Sequence, residues 1–321
     1  MPIVMITGMA KSGTTWLSAM LDAHPEVLSP GEGRFFGRAL VSPKTDARSL
    51  ETTLREAQGL HAWLGTSVWT RQADLEEELL QATAAIARSV LGRRLAAADK
   101  RVAVDKTPLP DEHYVADLHR VLPEASVIQI VRDGRDVAIS SLYHVWNNVE
   151  KGIDVPEWIL AGRDACLADR EAYLEANGSI FPSPAWLEAY AEAWRDKVSA
   201  TRADGRRLLG ERYAEVRYED LQERPERELS RLAEFIGVDR CPAVLEQCLA
   251  SASFERLSGG RRPGEEDSTS FFRKGVAGEW RALFGKEDHR VFERAAGGLL
   301  AELGYESGVT PAGSKAPRAL S

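Results

Sequence analysis

The chain has 321 residues, 44% of them hydrophobic and 28% charged, with a net charge of −8 at pH 7; it can bury a sizeable core, and its field does not favour nucleic acid or an anionic membrane, so any anion site must be a local basic pocket. Its three cysteines, Cys166, Cys241 and Cys248, have no CxxC spacing, which argues against a disulfide framework or a zinc site and fits a reducing compartment. No apolar run approaches the ~18 residues of a membrane span, and Met1 leads almost directly into the first apolar segment, so a soluble cytoplasmic protein without a signal peptide is expected.

Apolar runs alternate with amphipathic stretches, as a parallel sheet with helical crossovers requires. In chain order the pattern predicts a strand at 3–7 and a helix at 14–23, then a strand at 101–105 and a helix at 111–122. A strand at 126–131 and a helix at 133–147 follow, then a strand at 213–218 and a helix at 225–236 with Pro225 in its first turn. Two regions break the rhythm. Residues 37–99 read as helix-rich with acidic runs such as Glu76–Glu78, and residues 148–184 hold Trp158, Tyr173, Phe181 and three prolines. Both read either as acceptor-side lid segments or as ordinary core packing of those aromatics. The stretch Ser258–Thr269 is glycine-rich and charged and is expected to be a mobile loop. Residues 306–321 form a polar tail expected to be disordered, and no internal repeat is present, so residues 1–305 read as one domain.

Residues Ile6 to Trp16 read ITGMAKSGTTW, a strand end, a glycine-containing turn and a helix start. That arrangement offers backbone N–H groups and a positive helix end to an anion. Gly8 and Gly13 keep the two-glycine spacing of a nucleoside-triphosphate P-loop, but Thr14 stands where that loop has its lysine, and Lys11 lies inside the turn. The loop is therefore suited to a phosphate other than the β/γ-phosphates of ATP. In VRDGRDVAISS, Arg132 ends a strand and Ser140 lies in the next helix, so the two can grip one phosphate; alternatively Arg132 is an ion-pair partner of nearby Asp133 and Asp136. Tyr218 in VRYEDL and Phe254 in SFERL can pack on a base or simply close the core. FFRKGVAGEWR brings Arg273, Lys274 and Gly275 into a basic turn whose glycine allows close approach.

These motifs, in this order, resemble the sulfotransferases that use 3′-phosphoadenosine 5′-phosphosulfate (PAPS), over about residues 3–304 with weak stretches near 37–99 and 148–184. The resemblance implies a single α/β domain with a central parallel sheet flanked by helices, the P-loop nucleoside-triphosphate-hydrolase-like sulfotransferase fold. It implies that Lys11, Ser12, Gly13, Thr14 and Thr15 hold the 5′-phosphate, with Trp16, Tyr218 and Phe254 at the adenine. It gives the 3′-phosphate to Arg132, Ser140, Arg273, Lys274 and Gly275. YEDLQERPERELSRLAEFIGV is similar to the cytosolic branch almost throughout.

Sulfuryl transfer is an in-line displacement that needs positioning and positive charge. Lys11 is placed to stabilise the oxygen that leaves with the 5′-phosphate. Lys106, in VDKTPLP, is a second cation at the sulfate, or else a salt-bridge partner of Asp105. The acceptor hydroxyl also needs a base. Cytosolic members carry a histidine two residues after the equivalent lysine, where this chain has Pro108; KTP instead is similar to the glycosaminoglycan-sulfating branch, whose base is a glutamate after the first helix. HPEVLSPGEGRFF matches that segment and places Glu32 as the base, unless Glu32 only caps the turn between Gly31 and Gly33. His113 and Asp111 are reserve candidates, and His24, which ends the first helix, reads as structural.

No metal is implied, because no HExxH or Asp/Asn-rich cation loop is present. Many cytosolic members dimerise through a Lys-x-x-x-Thr-Val-x-x-x-Glu segment that Arg281–Arg290 does not reproduce, which leaves the oligomeric state open. The expected activity is transfer of SO₃ from PAPS to a hydroxyl of a small molecule or glycan. An ATP-dependent P-loop-like kinase and a catalytically silent nucleotide-binding protein are the alternatives. Phe35 and Phe36 beside Glu32, with the Trp158 region, hint at an apolar acceptor pocket.

Overall fold

A computed structural model describes residues 1–33, 75–108, 113–149 and 152–306. The expectations for Phe35, Phe36, Asp111, residues 37–74 and the tail beyond 306 fall outside these described residues. Contacts group the chain into two compact units, Met1–Arg132 with Lys197–Arg262, and Asp133–Asp196 with the chain from Pro263 onward. Neither unit is contiguous in sequence.

The first unit holds one parallel sheet of five strands, β1 (Ile3–Thr7), β2 (Val27–Leu28), β3 (Val102–Lys106), β4 (Ser126–Val131) and β5 (Tyr213–Arg217), in the order β2-β3-β1-β4-β5. Central β1 pairs Met5 with Asp105 of β3 and with Val127 of β4. All five residues of β1 are buried, and the first four, Ile3 to Ile6, are apolar without alternation, since a strand covered on both faces has no solvent side to alternate with. β2 and β3 lie to one side of β1, and β4 and β5 to the other. In such sheets the carboxyl end of the strand where the order reverses opens on the ligand crevice.

The helices that carry this unit are α1 (Thr14–Asp22), α2 (Leu75–Ala98) and α3 (Tyr114–Val121). Leu80, Ala84 and Ala87 of α2, with half-buried Leu91, recur every three or four residues and pack with Tyr114, Val115, Leu118 and Val121 of α3 over Ile3, Met5 and Val127. In the second unit, α4 (Gly134–Asn148) is followed by the short α5 (Glu157–Leu160), α6 (Arg163–Ala168) and α7 (Arg170–Asn177), and then α8 (Pro184–Asp204) leads back into the first unit. There follow α9 (Tyr218–Glu223), α10 (Pro225–Ile236), α11 (Pro242–Ser251) and α12 (Phe254–Ser258); α13 (Trp280–Leu283) and α14 (Lys286–Glu302) return to the second unit. There Trp194 and Phe292 are fully buried against each other, their ring centroids 6.0 Å apart. Among the described residues no helix is long and apolar enough to cross a membrane, and no group of three or more His, Cys, Asp or Glu side chains is placed to hold a metal ion.

The strands at 3–7 and 126–131 and the helix at 225–236 coincide with expectation, while the third strand runs one residue later and the fifth ends at Arg217. Tyr218 thus opens α9 and does not close β5. The two-residue β2 is too short to leave a periodic signature.

Gly8, just past β1, lies close against the carboxyl end of β4. A Cβ there would lie 2.4 Å from the Ile130 carbonyl oxygen and 3.0 Å from Ile130 Cγ2. Gly8→Ala should cost about 1–3 kcal/mol, the usual penalty of overpacking, and lower the urea midpoint at unchanged slope. A wild-type midpoint would contradict the close approach of loop and β4.

Candidate functional site

The turn from β1 to α1 is built around two left-handed residues, Lys11 (φ 73°) and Gly13 (φ 102°). A side chain tolerates this region poorly, so the loop holds Lys11 in an unusual conformation. Gly13 has a second reason to be glycine: a Cβ would sit 2.7 Å from Cδ2 of Tyr218. The Ser12 N–H donates to the Met9 carbonyl at 3.0 Å, which closes the turn. The hydroxyl of Ser12 is buried and has no hydrogen-bond partner among the described residues. The first N–H groups of α1 have no intrahelical acceptor, and its first turn carries no acidic residue. A buried unsatisfied hydroxyl beside the positive end of a helix fits a phosphate.

Two further groups meet this loop. Lys106, the last residue of β3, is 6% exposed, and its Nζ lies 3.0 Å from Oγ1 of Thr15 and 3.0 Å from Oε1 of Glu32. The ion pair of Lys106 is thus with Glu32, and the alternative pairing with Asp105 is replaced by a supporting role for that residue. Asp105 accepts from the Thr107 hydroxyl at 2.8 Å and from the Gly33 N–H, and a Cβ on Gly33 would collide with its carboxylate. Burial pushes the Asp105 carboxyl up, and those two donors oppose the shift. The Lys106 N–H donates to Gly31 at 3.2 Å. Both glycines that flank Glu32 are thus tied to β3, and its carboxylate is held by the Lys106 ammonium.

Arg132, one residue past β4, donates from Nη1 to the Lys11 carbonyl at 3.3 Å and lies 4.4 Å over the Tyr218 ring. Trp16 meets the same ring edge-on at 5.3 Å and donates from Nε1 to Ala252 at 2.9 Å. Phe254 opens α12, with Arg261 5.4 Å over its ring. The structure thus gathers Lys11, Ser12, Gly13, Thr14, Thr15, Trp16, Glu32, Lys106, Arg132 and Tyr218 around one loop of the first unit. His24 is structural, as expected: its ring contacts the Asp239 carbonyl through Nε2 at 2.8 Å and accepts the Glu26 N–H through Nδ1 at 3.1 Å. His113 is the residue before α3.

The second unit carries Ser140, half-buried on α4, and the Arg273-Lys274-Gly275 turn. Asp136 of α4 anchors that turn by accepting the Gly278 N–H at 2.6 Å and the Trp280 N–H at 3.0 Å. Arg135, held by Asp133 at 2.8 Å, stacks 3.5 Å over the Trp280 ring. Nη1 of Arg273 donates to Glu266 at 2.7 Å and to Glu279 at 2.9 Å, its Nη2 also bonds Glu279, and Lys274 reaches Glu279 at 3.1 Å. Burial raises the Glu279 and Glu266 carboxyls, but the neighbouring cations outweigh it and hold both below the usual carboxylate range. The glycine-rich stretch expected to be mobile is tied to the same turn, Gly264 N–H to the Lys274 carbonyl at 2.8 Å and Asp267 N–H to the Arg273 carbonyl at 2.9 Å. Arg170, Glu266 and Glu279 were missed by sequence reasoning. Only Glu279 left a signal, as an acid within the basic RKGVAGEW segment.

A family model described as "Sulfotransferase domain" matches residues 2–304. Nodulation protein NoeE of Sinorhizobium fredii (strain NBRC 101917 / NGR234) is 28% identical over 315 residues, 95% of this chain and 66% of that protein. Sulfotransferase 1A1 of Bos taurus is 26% identical over 181 residues, 53% of each chain. The chain thus spans less than two thirds of the length of either of these curated relatives. The crystal structure of mouse sulfotransferase SULT7A1 complexed with PAP superposes with a TM-score of 0.51 at 18% identity, covering 92% of this chain and 82% of that one, which shows a shared fold.

Glu266 and Glu279 make a prediction about acid stability. Both carboxyls lie below their ordinary value of 4.5 in the folded chain. Their contribution is fully present above that value and is lost as pH falls through the lower folded-state values. Replacing both with Gln should lower the melting temperature at neutral pH and flatten its fall between about pH 5 and 3. An acid limb as steep as that of the wild type would contradict the ion-pair network.

Proposed function

We propose, on the premise that the chain belongs to the sulfotransferase family, that it transfers a sulfuryl group from PAPS to a hydroxyl of a small molecule or carbohydrate. The single observation that carries this reading is the Lys106 ammonium seated 3.0 Å from Thr15 of the phosphate-type loop and 3.0 Å from the Glu32 carboxylate. One side chain thereby links an anion cradle to a general-base candidate. PAP, named in the mouse structure as the bound ligand, is the expected product.

PAPS supplies an activated sulfuryl group on a 5′-phosphate. Ser12, Gly13, Thr14 and Thr15 offer the cradle for that phosphate, and Lys11 adds a positive charge for the leaving oxygen. Trp16 and Tyr218, already packed edge to face, give the adenine an aromatic wall, to which Phe254 is assigned as well. The resemblance assigns Arg132, Ser140, Arg273, Lys274 and Gly275 to the 3′-phosphate. Glu32 accepts the proton of the acceptor hydroxyl, and Lys106 orients that carboxylate while presenting its charge to the sulfate oxygens. No step calls for a metal ion. Three free thiols accord with a reducing, cytoplasmic setting.

Calorimetric titration with PAP, ADP and ATP without magnesium tests the donor; tight binding of PAP alone is expected, and a preference for ADP or ATP would overturn the reading in favour of a kinase. Arg132→Ala should weaken PAP by ~1.5–3 kcal/mol, about 10–150-fold, with ADP unaffected. Equal losses for both ligands would make Arg132 a structural residue. Glu32→Gln should keep PAP binding while turnover falls by roughly 10²-fold or more, the usual scale for loss of a general base. Near-normal turnover would remove Glu32 from the chemistry and leave His113 as the base.

A further inference from the structure

The second unit contains an arrangement that the proposed activity does not by itself explain. Three cations and two carboxylates meet beside one aromatic ring. Arg170, the first residue of α7, grips Glu266 with both terminal nitrogens, at 2.8 and 3.0 Å. Arg273 donates to the same carboxylate at 2.7 Å, and the Lys274 ammonium stands 3.8 Å from it. Tyr143 supplies the floor, with the Arg273 guanidinium 4.3 Å and the Arg170 guanidinium 5.5 Å from its ring centroid.

The two acids are not equivalent. Glu279 is 5% exposed, precedes α13, and is bound by both Arg273 and Lys274. Glu266 is 19% exposed and sits in the glycine-rich stretch between Gly264 and Asp267, which reaches the basic turn through two backbone hydrogen bonds. Its partners Arg170 and Lys274 are each 27% exposed, so water reaches the Glu266 side of the cluster more readily than the Glu279 side. Three cations converging on one small anion is the geometry of a phosphate site. A carboxylate has two oxygens to offer them and leaves Lys274 at 3.8 Å, whereas a phosphate has three and carries more charge.

We infer that Arg170 is a further phosphate-binding residue, and that Glu266 is an internal anion holding the place of a phosphate among Arg170, Arg273 and Lys274. Glu279 is the permanent partner that orients Arg273 and Lys274. The inference rests on the reading that the Arg273-Lys274-Gly275 turn receives the 3′-phosphate, and it assigns opposite signs to two neighbouring acids. Removing Glu266 abolishes a competitor, so affinity for the phosphate rises. Removing Glu279 releases the orientation of the cations, so affinity falls. If both acids served stability alone, both losses would weaken binding or leave it unchanged.

The test is calorimetric titration of PAP and ADP against the wild type and the variants Glu266→Gln, Glu279→Gln and Arg170→Ala, with melting curves of each ligand-free protein to confirm folding. Glu266→Gln should bind PAP about tenfold more tightly, and Arg170→Ala and Glu279→Gln about tenfold or more weakly, the scale of one charge-assisted contact. ADP, which lacks the 3′-phosphate, should bind all four alike. Unchanged or weaker PAP binding by Glu266→Gln, or unchanged binding by Arg170→Ala, overturns the inference while a wild-type preference for PAP leaves the sulfotransferase reading intact. A wild type that binds PAP and ADP equally overturns both. Should Glu266→Gln fail to fold, the Arg170→Ala and Arg170→Lys pair decides, with Lys expected to restore part of the affinity.

Discussion

The candidate site depends on where one lysine is held. Lys106 ends a buried strand, so its ammonium is delivered into a place where water cannot fully solvate it, and it must find anionic or hydroxyl partners there. It finds two, Thr15 on the first turn of α1 and Glu32 between two glycines. The parallel register of β1 and β3, Ile6 against Lys106, sets the height at which this happens, and the loop after β1 begins two residues later. Strand pairing, loop shape and the direction of Glu32 are therefore one problem with one solution. Asp105 completes it from the next position of the strand, by tying Gly33 and Thr107.

An acidic protein that handles anions must concentrate its positive charge locally, and the two units do so differently. In the first, a helix end adds to the charges of Lys11, Lys106 and Arg132, which are placed singly. Arg132 is stabilised by the Tyr218 face and a carbonyl oxygen. In the second unit guanidinium groups are gathered and then neutralised by carboxylates, because three cations packed together without counter-charge would repel. That neutralisation is what lets a resident glutamate act as a stand-in for a ligand.

Much of this was legible in the sequence because it is local. The glycine spacing of 8 and 13, the apolar run of β1 and the amphipathic pattern of 225–236 are short-range features, and the structure reproduces each. Glu32 and Lys106 were each singled out by motif, but their contact spans 74 residues and no periodicity announces it. The Arg170–Glu266 pair, 96 residues apart, left no sign at all, since an arginine opening a polar helix looks like any solvated residue. Tyr218 reads in the sequence as a ring that packs on a base or closes the core, while its placement at the start of α9 and its contact with Gly13 follow from packing that only the folded chain displays.

The central claim is that the phosphate-type loop, Lys106 and Glu32 together move a sulfuryl group to a hydroxyl. Incubation of the protein with radiolabelled PAPS and a panel of phenols, aliphatic alcohols and sugars measures that transfer directly. The account predicts a labelled sulfate ester on at least one class of acceptor, with PAP as the co-product. Intact PAPS across the whole panel, together with phosphate transfer from ATP to the same hydroxyls, would contradict it.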